Sequence, residues 1–252
     1  MAKGQDIDRV LRDWPFEPGV ISARIVPAAH GRQVLQMRIE LGVLQMETAL
    51  RPDGERPGGE DTYLDYLLRE AVHQGESFQL SEEQVLEVDR EFLQYYHRRI
   101  CWLALREFDR AIADADHSLE LMDFVAAHAA DPDWAGSHEQ YRAFVLFHRT
   151  QAAALAQLEK SSPDAAIEEI AQGVKRIHEV LKRDREQREQ EAEGSYNEEL
   201  VDQLMQLQEW LREHYQVGRT LTEQLSDAVA AEQYELAARL RDEIARRQSR
   251  RA

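Results

Sequence analysis

Residues 221–252 read LTEQLSDAVAAEQYELAARLRDEIARRQSRRA. Leu221, Leu225, Ala228 and Val229 recur at spacings of three and four, which is one face of an α-helix. Tyr234, Ala237, Ala238, Arg241 and Ile244 form a second such stripe, with Leu240 beside it. Ala231, Glu232 and Gln233 between them make a tight joint. Small alanines at facing positions let two antiparallel helices approach closely. Two helices this short cannot bury both stripes against each other, so the pattern predicts a hairpin with apolar surface left for a partner.

The run LxxxLxxAVxxExYExAAxLRDxI resembles the UVR motif, a helical hairpin found in the UvrB and UvrC excinuclease subunits and in bacterial stress regulators such as McsA and ClpC-type proteins. Leu225, Ala228, Glu232, Tyr234, Glu235, Ala237, Ala238, Leu240, Arg241, Asp242 and Ile244 carry the match. Relatives commonly add another Leu after the Ile, where this chain runs into Arg246-Arg247-Gln248. The resemblance implies a protein–protein contact module. The residues expected to face the partner are Leu225, Val229, Tyr234, Ala237, Ala238, Leu240, Arg241 and Ile244.

Working toward the N-terminus, Gly218 separates the hairpin from an amphipathic helix with Leu200, Leu204, Leu207 and Leu211 at coiled-coil spacing for two heptads, too short for an autonomous coiled coil, so it is expected to pack against the bundle or against the same helix of a second chain. Ser195 with Glu198 reads as a capping box. Lys182–Glu193 (KRDREQREQEAE) is almost free of apolar residues and reads as a solvated helix or hinge. With breaks at Gly194 and Gly218, this predicts a movable arm, Ser195 to Val217, that presents the hairpin.

Upstream the period stays helical. Ser162-Pro163 opens a helix with Ile167, Ile170, Val174, Ile177 and Leu181 on one face. One helix is expected from Ser137 to Leu158. Phe108, Ala111, Ile112, Ala115, Leu119, Met122 and Phe124 line another. Ser81 with Gln84 caps a long helix bearing Val85, Val88, Phe92, Tyr95, Tyr96, Ile100 and Leu103. Leu105–Ile112 with Ser118-Leu119 resembles the turn and second helix of a tetratricopeptide repeat, and Pro163–Ile167 with Gly173-Val174 echoes it. The copies lie 55 residues apart rather than that family's 34, and Arg98 and Arg99 stand where a Leu-Gly pair is expected.

The period changes before residue 63. Leu50–Thr62 (LRPDGERPGGEDT) is rich in Pro, Gly and acids and reads as a linker. Leu35, Met37, Ile39 and Leu41 alternate with polar residues, the period of a half-buried strand, with a bulge or bend expected at Gly42. Val20–Val26 is short and β-branched, and Pro27–Arg32 is a turn. The tripeptide Leu-Gln-Met occurs at 35–37 and 44–46, too few copies to establish a repeat. The expectation is a small antiparallel sheet that packs on the helices or pairs with another chain.

Composition agrees with a helical protein: 12 Gly and 7 Pro in 252 residues, and 31% charged. A formal net charge of −17 disfavours direct nucleic-acid binding, which needs clustered Lys and Arg. Cys101 is the single cysteine, so no intramolecular disulfide forms and a reducing cytoplasm is the expected location. No apolar leader or membrane span is legible.

Catalytic signatures are missing from the reading. A di-iron bundle needs two Glu-x-x-His motifs, and the sequence has Glu70-x-x-His73. Asp114, Asp116 and His117 point in different directions on a helix. No catalytic residue, metal ligand or cofactor is therefore expected. Tyr95, Arg98, Arg99 and Trp102 share a helix face whose Arg and aromatic content suits a contact hot spot, so Tyr95, Arg99 and Trp102 join the expected partner-binding residues, with a buried structural face as the competing reading. The fold expected is mainly α: a helical-hairpin, tetratricopeptide-like (TPR-like) bundle with a small N-terminal antiparallel β element and a C-terminal helical hairpin. Its divisions fall at 1–60, 61–183, 184–217 and 218–252. The function expected is a non-enzymatic adaptor that binds another protein, or a second copy of itself, through the hairpin. The first alternative is an accessory protein of DNA-repair or nucleoprotein complexes that recruits a nuclease or helicase. The second is a metal-dependent helical-bundle enzyme.

Overall fold

The computed structural model describes residues 6–187 and 194–249. It divides into two compact units, residues 1–152 and 153–252. The chain is mainly helical, with one small antiparallel sheet near the N-terminus and a helix pair at the C-terminus.

In the first unit, α1 (Asp8–Asp13) precedes β1 (Ala23–Pro27), β2 (Gln33–Ile39) and β3 (Gly42–Glu47), which pair antiparallel in the order β1-β2-β3. Leu35 lies opposite Met46, Gln36 opposite Gln45, and Met37 opposite Leu44. The duplicated Leu-Gln-Met is thus the two arms of one hairpin. Because side chains alternate across a strand, its Leu and Met residues share one face, where Leu35 and Met46 are buried. On the other face Gln36 donates to Gln45 at 3.0 Å and accepts from Arg24 at 2.8 and 3.0 Å. Arg24 in turn stacks on Trp14 at 4.1 Å. Gly42 forms no bulge. It faces Ile39 across a turn made by Glu40 and Leu41, so Leu41, expected on the buried face, sits at the hairpin tip with 87% of its surface exposed.

Leu50–Thr62 forms a strap fastened to the helices α2 (Tyr63–Gln74) and α3 (Glu82–Ala104), and α3 packs against α4 (Phe108–His128). Arg51, fully buried, pairs with Glu87 at 2.7 Å and Glu91 at 3.2 Å, and Gln94 donates to Asp53 at 2.8 Å. Thr62 caps α2 by accepting from the Asp65 N–H. Ser81 and Gln84 make the expected capping box of α3. The α3–α4 turn carries Arg106 at φ 62°, and Ala111 and Ala115 are fully buried in α4. Leu64, Leu67, Phe78, Leu80, Val88, Leu121, Phe124 and Val125 form the core here. The single helix expected over 137–158 is two: α5 (Pro132–Glu139), opened by Asp131 as N-cap, and α6 (Arg142–Glu159).

The second unit contains α7 (Pro163–Gln187), α8 (Gly194–Tyr215), α9 (Leu221–Ala230) and α10 (Tyr234–Ser249). Pro163 occupies the first helical position, where its missing N–H costs nothing. The charged stretch remains helical to Gln187; residues 188–193 lie outside the described residues. α8 starts at Gly194, so Ser195 stands inside the first turn rather than at the N-cap, and its side chain also lies outside the described residues. Of the two expectations for this segment, packing of the leucine stripe within the chain is what is found, and the movable arm is corrected. α8 packs along α7 through buried Leu200, Val201, Leu204 and Leu211, and Gln208 donates to the Ile167 carbonyl at 3.2 Å.

Candidate functional site

The hairpin begins with a capping box that the sequence reading missed although its Thr-x-x-Glu signal was present. The Glu223 N–H donates to Thr220 Oγ1 at 3.3 Å, and the Thr220 N–H donates to Glu223 Oε2 at 2.8 Å. At the joint Glu232 adopts φ 57°. Its N–H donates to the Val229 carbonyl at 3.0 Å, and that of Gln233 to the Ala228 carbonyl at 2.8 Å, the Schellman pattern that closes a helix C-terminus. At the foot Arg212 donates to the Gly218 carbonyl at 2.9 Å and forms an ion pair with Glu223, holding the end of α8 to the start of α9.

The expected contact residues divide between two sides of this hairpin. Ala228, Ala237 and Leu240 form its buried seam, with Leu221 and Leu225 packed against them; Ile244 is half-buried. Val229, Tyr234, Ala238 and Arg241 face outward, with Tyr234 69% exposed. Arg241 pairs with its neighbour Asp242 at 2.8 Å. Leu236, outside both stripes read from the sequence, is also exposed. The seam residues hold the two helices together, and the outward set is what another molecule can touch.

Tyr95, Arg98, Arg99 and Trp102 are buried, so the buried structural face is the reading that holds and the contact surface is corrected: in this structure they offer no face to a partner. Their functional groups are consumed internally. Arg98 grips Asp114 at 2.7 and 2.9 Å and donates to the Leu50 carbonyl at 2.7 Å. Tyr95 stacks on His117 at 3.7 Å, donates to the same carbonyl at 3.2 Å, and has its hydroxyl pKa pushed up by burial. Arg99 donates to Ser118 at 2.8 Å and to His148 Nδ1 at 3.4 Å. Burial lowers the Arg99 pKa to about 10; burial and the Arg99 charge lower that of His148 to about 3. Arg110 stacks on Trp102 at 4.8 Å. Burial also pushes the Cys101 thiol up to about 12, which keeps it a thiol at neutral pH.

The acidic cluster on α4 resolves into separate pairs: Asp114 with Arg98, Asp116 with Arg149, and His117 with Glu91. Among the described residues no group of three or more His, Cys, Asp or Glu is placed to hold a metal ion. Glu91, not singled out by sequence, is fully buried. It accepts the N–H groups of Tyr63 at 2.7 Å and Leu64 at 3.0 Å, and it also contacts Arg51 and His117. It caps α2 and fastens the strap at once. No helix among the described residues is long and apolar enough to cross a membrane.

Residues 219–249 match a family model described as the UvrB/uvrC motif. The match spans α9, α10 and the Thr220 cap. No curated protein and no solved structure matches the chain.

Proposed function

We propose that this protein is a non-enzymatic adaptor, acting in the cytoplasm, that binds another protein through its C-terminal hairpin. One coincidence carries the reading: the segment matching the UvrB/uvrC motif is a capped hairpin that spends Ala228, Ala237 and Leu240 on its own seam and leaves Val229, Tyr234 and Leu236 in solvent. Covering them at an interface would take their remaining apolar surface out of water, at about 25 cal/mol per Å². Tyr234 is the expected anchor, an aromatic at an exposed tip, and Arg241 the expected polar rim. A second copy of the chain is a further candidate partner for this face. The test is affinity capture from cells with the full chain and with Tyr234→Ala. Loss of one or more bound proteins in the variant supports the reading, and an unchanged set sinks it.

The second reading places the same hairpin in DNA repair, as a recruiter of a nuclease or helicase, and the UvrB/uvrC description of the matched motif favours it. Recruitment would be indirect, because a net charge of −17 repels the phosphate backbone. It expects sensitivity to DNA damage in a strain lacking the protein; normal survival would remove it.

A further inference from the structure

Away from the C-terminal hairpin, the small sheet ends on an edge that the chain closes only in part. The Arg38 N–H points toward β1, where it donates to the Ser22 carbonyl at 2.9 Å. Backbone groups in antiparallel ladders alternate between the two sides of a strand, so Arg38 and the residue opposite it, Val43, exchange no backbone bond. The same alternation applies to Gln36 with Gln45 and to Val34 with Glu47. Val43, Gln45 and Glu47 therefore turn their N–H and C=O groups away from β2. Glu47 is already taken: its N–H donates to the Pro52 carbonyl of the strap at 2.8 Å, and its carbonyl accepts from Arg98 at 3.3 Å. Among the described residues, nothing bonds the outward N–H or C=O of Val43 or Gln45. The other edge is poorer, because Ala23, Ile25 and Pro27 face outward there and Pro27 has no N–H to give.

The side chains run in the same direction. Arg24 donates to Gln36 Oε1, and Gln36 Nε2 donates to Gln45 Oε1 at 3.0 Å, a row that hands each hydrogen bond on toward β3. Gln45 is exposed at the end of this row, and its own Nε2 has no acceptor among the described residues. On the opposite face Leu44 is half-buried, near buried Met46.

From this open edge and its unfilled donor we infer that a second copy of the chain docks here, β3 against β3, antiparallel about a two-fold axis at Leu44. The opening is self-complementary. Val43 of one copy lies opposite Gln45 of the other, and each such pair exchanges both its N–H···O bonds. Leu44 meets Leu44 of the second copy in the non-bonded pair between them, where facing side chains come closest. The two Gln45 side chains are diagonal neighbours, within reach for long side chains, so each Nε2 finds the other's Oε1 and the row continues across the axis. The strap fills the place opposite Glu47, and a second copy needs no strand there, because its β3 begins at Gly42, which falls opposite Met46. Residues 42–46 carry no charge, so two chains of net charge −17 meet without like charges face to face. The inference does not depend on what the C-terminal hairpin binds.

Sedimentation equilibrium on the full-length protein over a range of concentrations reads the association. Wild type is expected to pass from monomer to dimer as concentration rises. Gln45→Lys changes an exposed residue, ends the row and sets like charges across the axis. It should raise the dimer dissociation constant at least tenfold with the helical circular dichroism unchanged, whereas Tyr234→Ala should leave that constant as it is. Cross-linking reads the register. Facing Cα atoms of a non-bonded pair lie about 4.5 Å apart, inside the span of a disulfide, and Cα atoms more than about 7 Å apart lie outside it. Oxidised Leu44→Cys should therefore give a covalent dimer, and Val43→Cys, whose two copies stand out of step, should not. Cys101 is buried and is the same background in both. A protein that stays monomeric at every concentration overturns the inference. So does a dimer that Tyr234→Ala dissolves and Gln45→Lys leaves intact, or one that Val43→Cys traps and Leu44→Cys does not.

Discussion

At Glu91 a single carboxylate, shielded entirely from water, holds the first two N–H groups of α2, Arg51 of the strap and His117 of α4. A buried charge with its partners in place is tolerated; removing this one weakens the charge-assisted hydrogen bonds to the two α2 N–H groups and takes one carboxylate from buried Arg51, which keeps Glu87 at 2.7 Å. Glu91→Gln should therefore cost about 2 kcal/mol in urea denaturation, far more than Glu→Gln at exposed Glu83 on the same helix. His148 makes a pH prediction. Its folded pKa is lowered to about 3, below the unfolded value of about 6.5, so the neutral form belongs to the folded state. That contribution is complete above pH 6.5 and is lost as pH falls toward 3, because the unfolded chain takes up the proton first. The slope is about 1.4 kcal/mol per pH unit. Burial lowers the His97 pKa too, which adds a loss of the same sign. His148→Gln should be visibly flatter than wild type in denaturation between pH 7 and pH 5. Neither role was legible in the sequence: Glu91 and His148 look like ordinary polar residues on helices, and only the packing of α2, α4 and α6 around them removes their water.

Helix ends show how local chemistry places elements. Arg106, Ser161, Gln216 and Glu232 all adopt positive φ, and each is followed by a residue whose N–H reaches five residues back: Glu107 to Trp102, Ser162 to Gln157, Val217 to Arg212 and Gln233 to Ala228. Gly is the usual residue at this position and none of the four is Gly, so these turns were legible only from the interruption of the apolar stripes and from neighbours such as Ser162-Pro163 and Gly218. Glu232→Gly should relieve about 1 kcal/mol of left-handed strain and slow amide exchange across α9 and α10. Thr220→Ala removes the capping box and should speed that exchange by a free energy of about 1 kcal/mol. The sheet was legible in the same partial way. Alternation in Leu35–Ile39 identified a half-buried strand, but Leu41 falls after the register has already turned at Glu40, so periodicity assigned it to the wrong side.

On the scale of the whole molecule, helix against helix accounts for most of the structure, and at α8 this decides between the two expectations, a packed helix and a movable arm. Its Leu200, Leu204 and Leu211 are buried against α7, so amides from Leu200 to Leu211 should exchange as slowly as those around Ile170; exchange at the rate of an open peptide would restore the arm. What the sequence by itself determined is the class of the protein: mainly helical by composition and 3.6-residue period, a small sheet by alternation, and a C-terminal hairpin by small residues at facing positions together with the motif they spell. These are properties of neighbouring residues, and periodicity records them. The tertiary structure alone decided which side of each stripe is used. It turned Tyr95, Arg99 and Trp102 inward, sorted the hairpin into a seam and an outward set led by Tyr234, docked α8, and made a strap of the Gly/Pro-rich stretch. Burial depends on which element arrives from elsewhere in the chain to exclude water, and a single helix face holds no record of that.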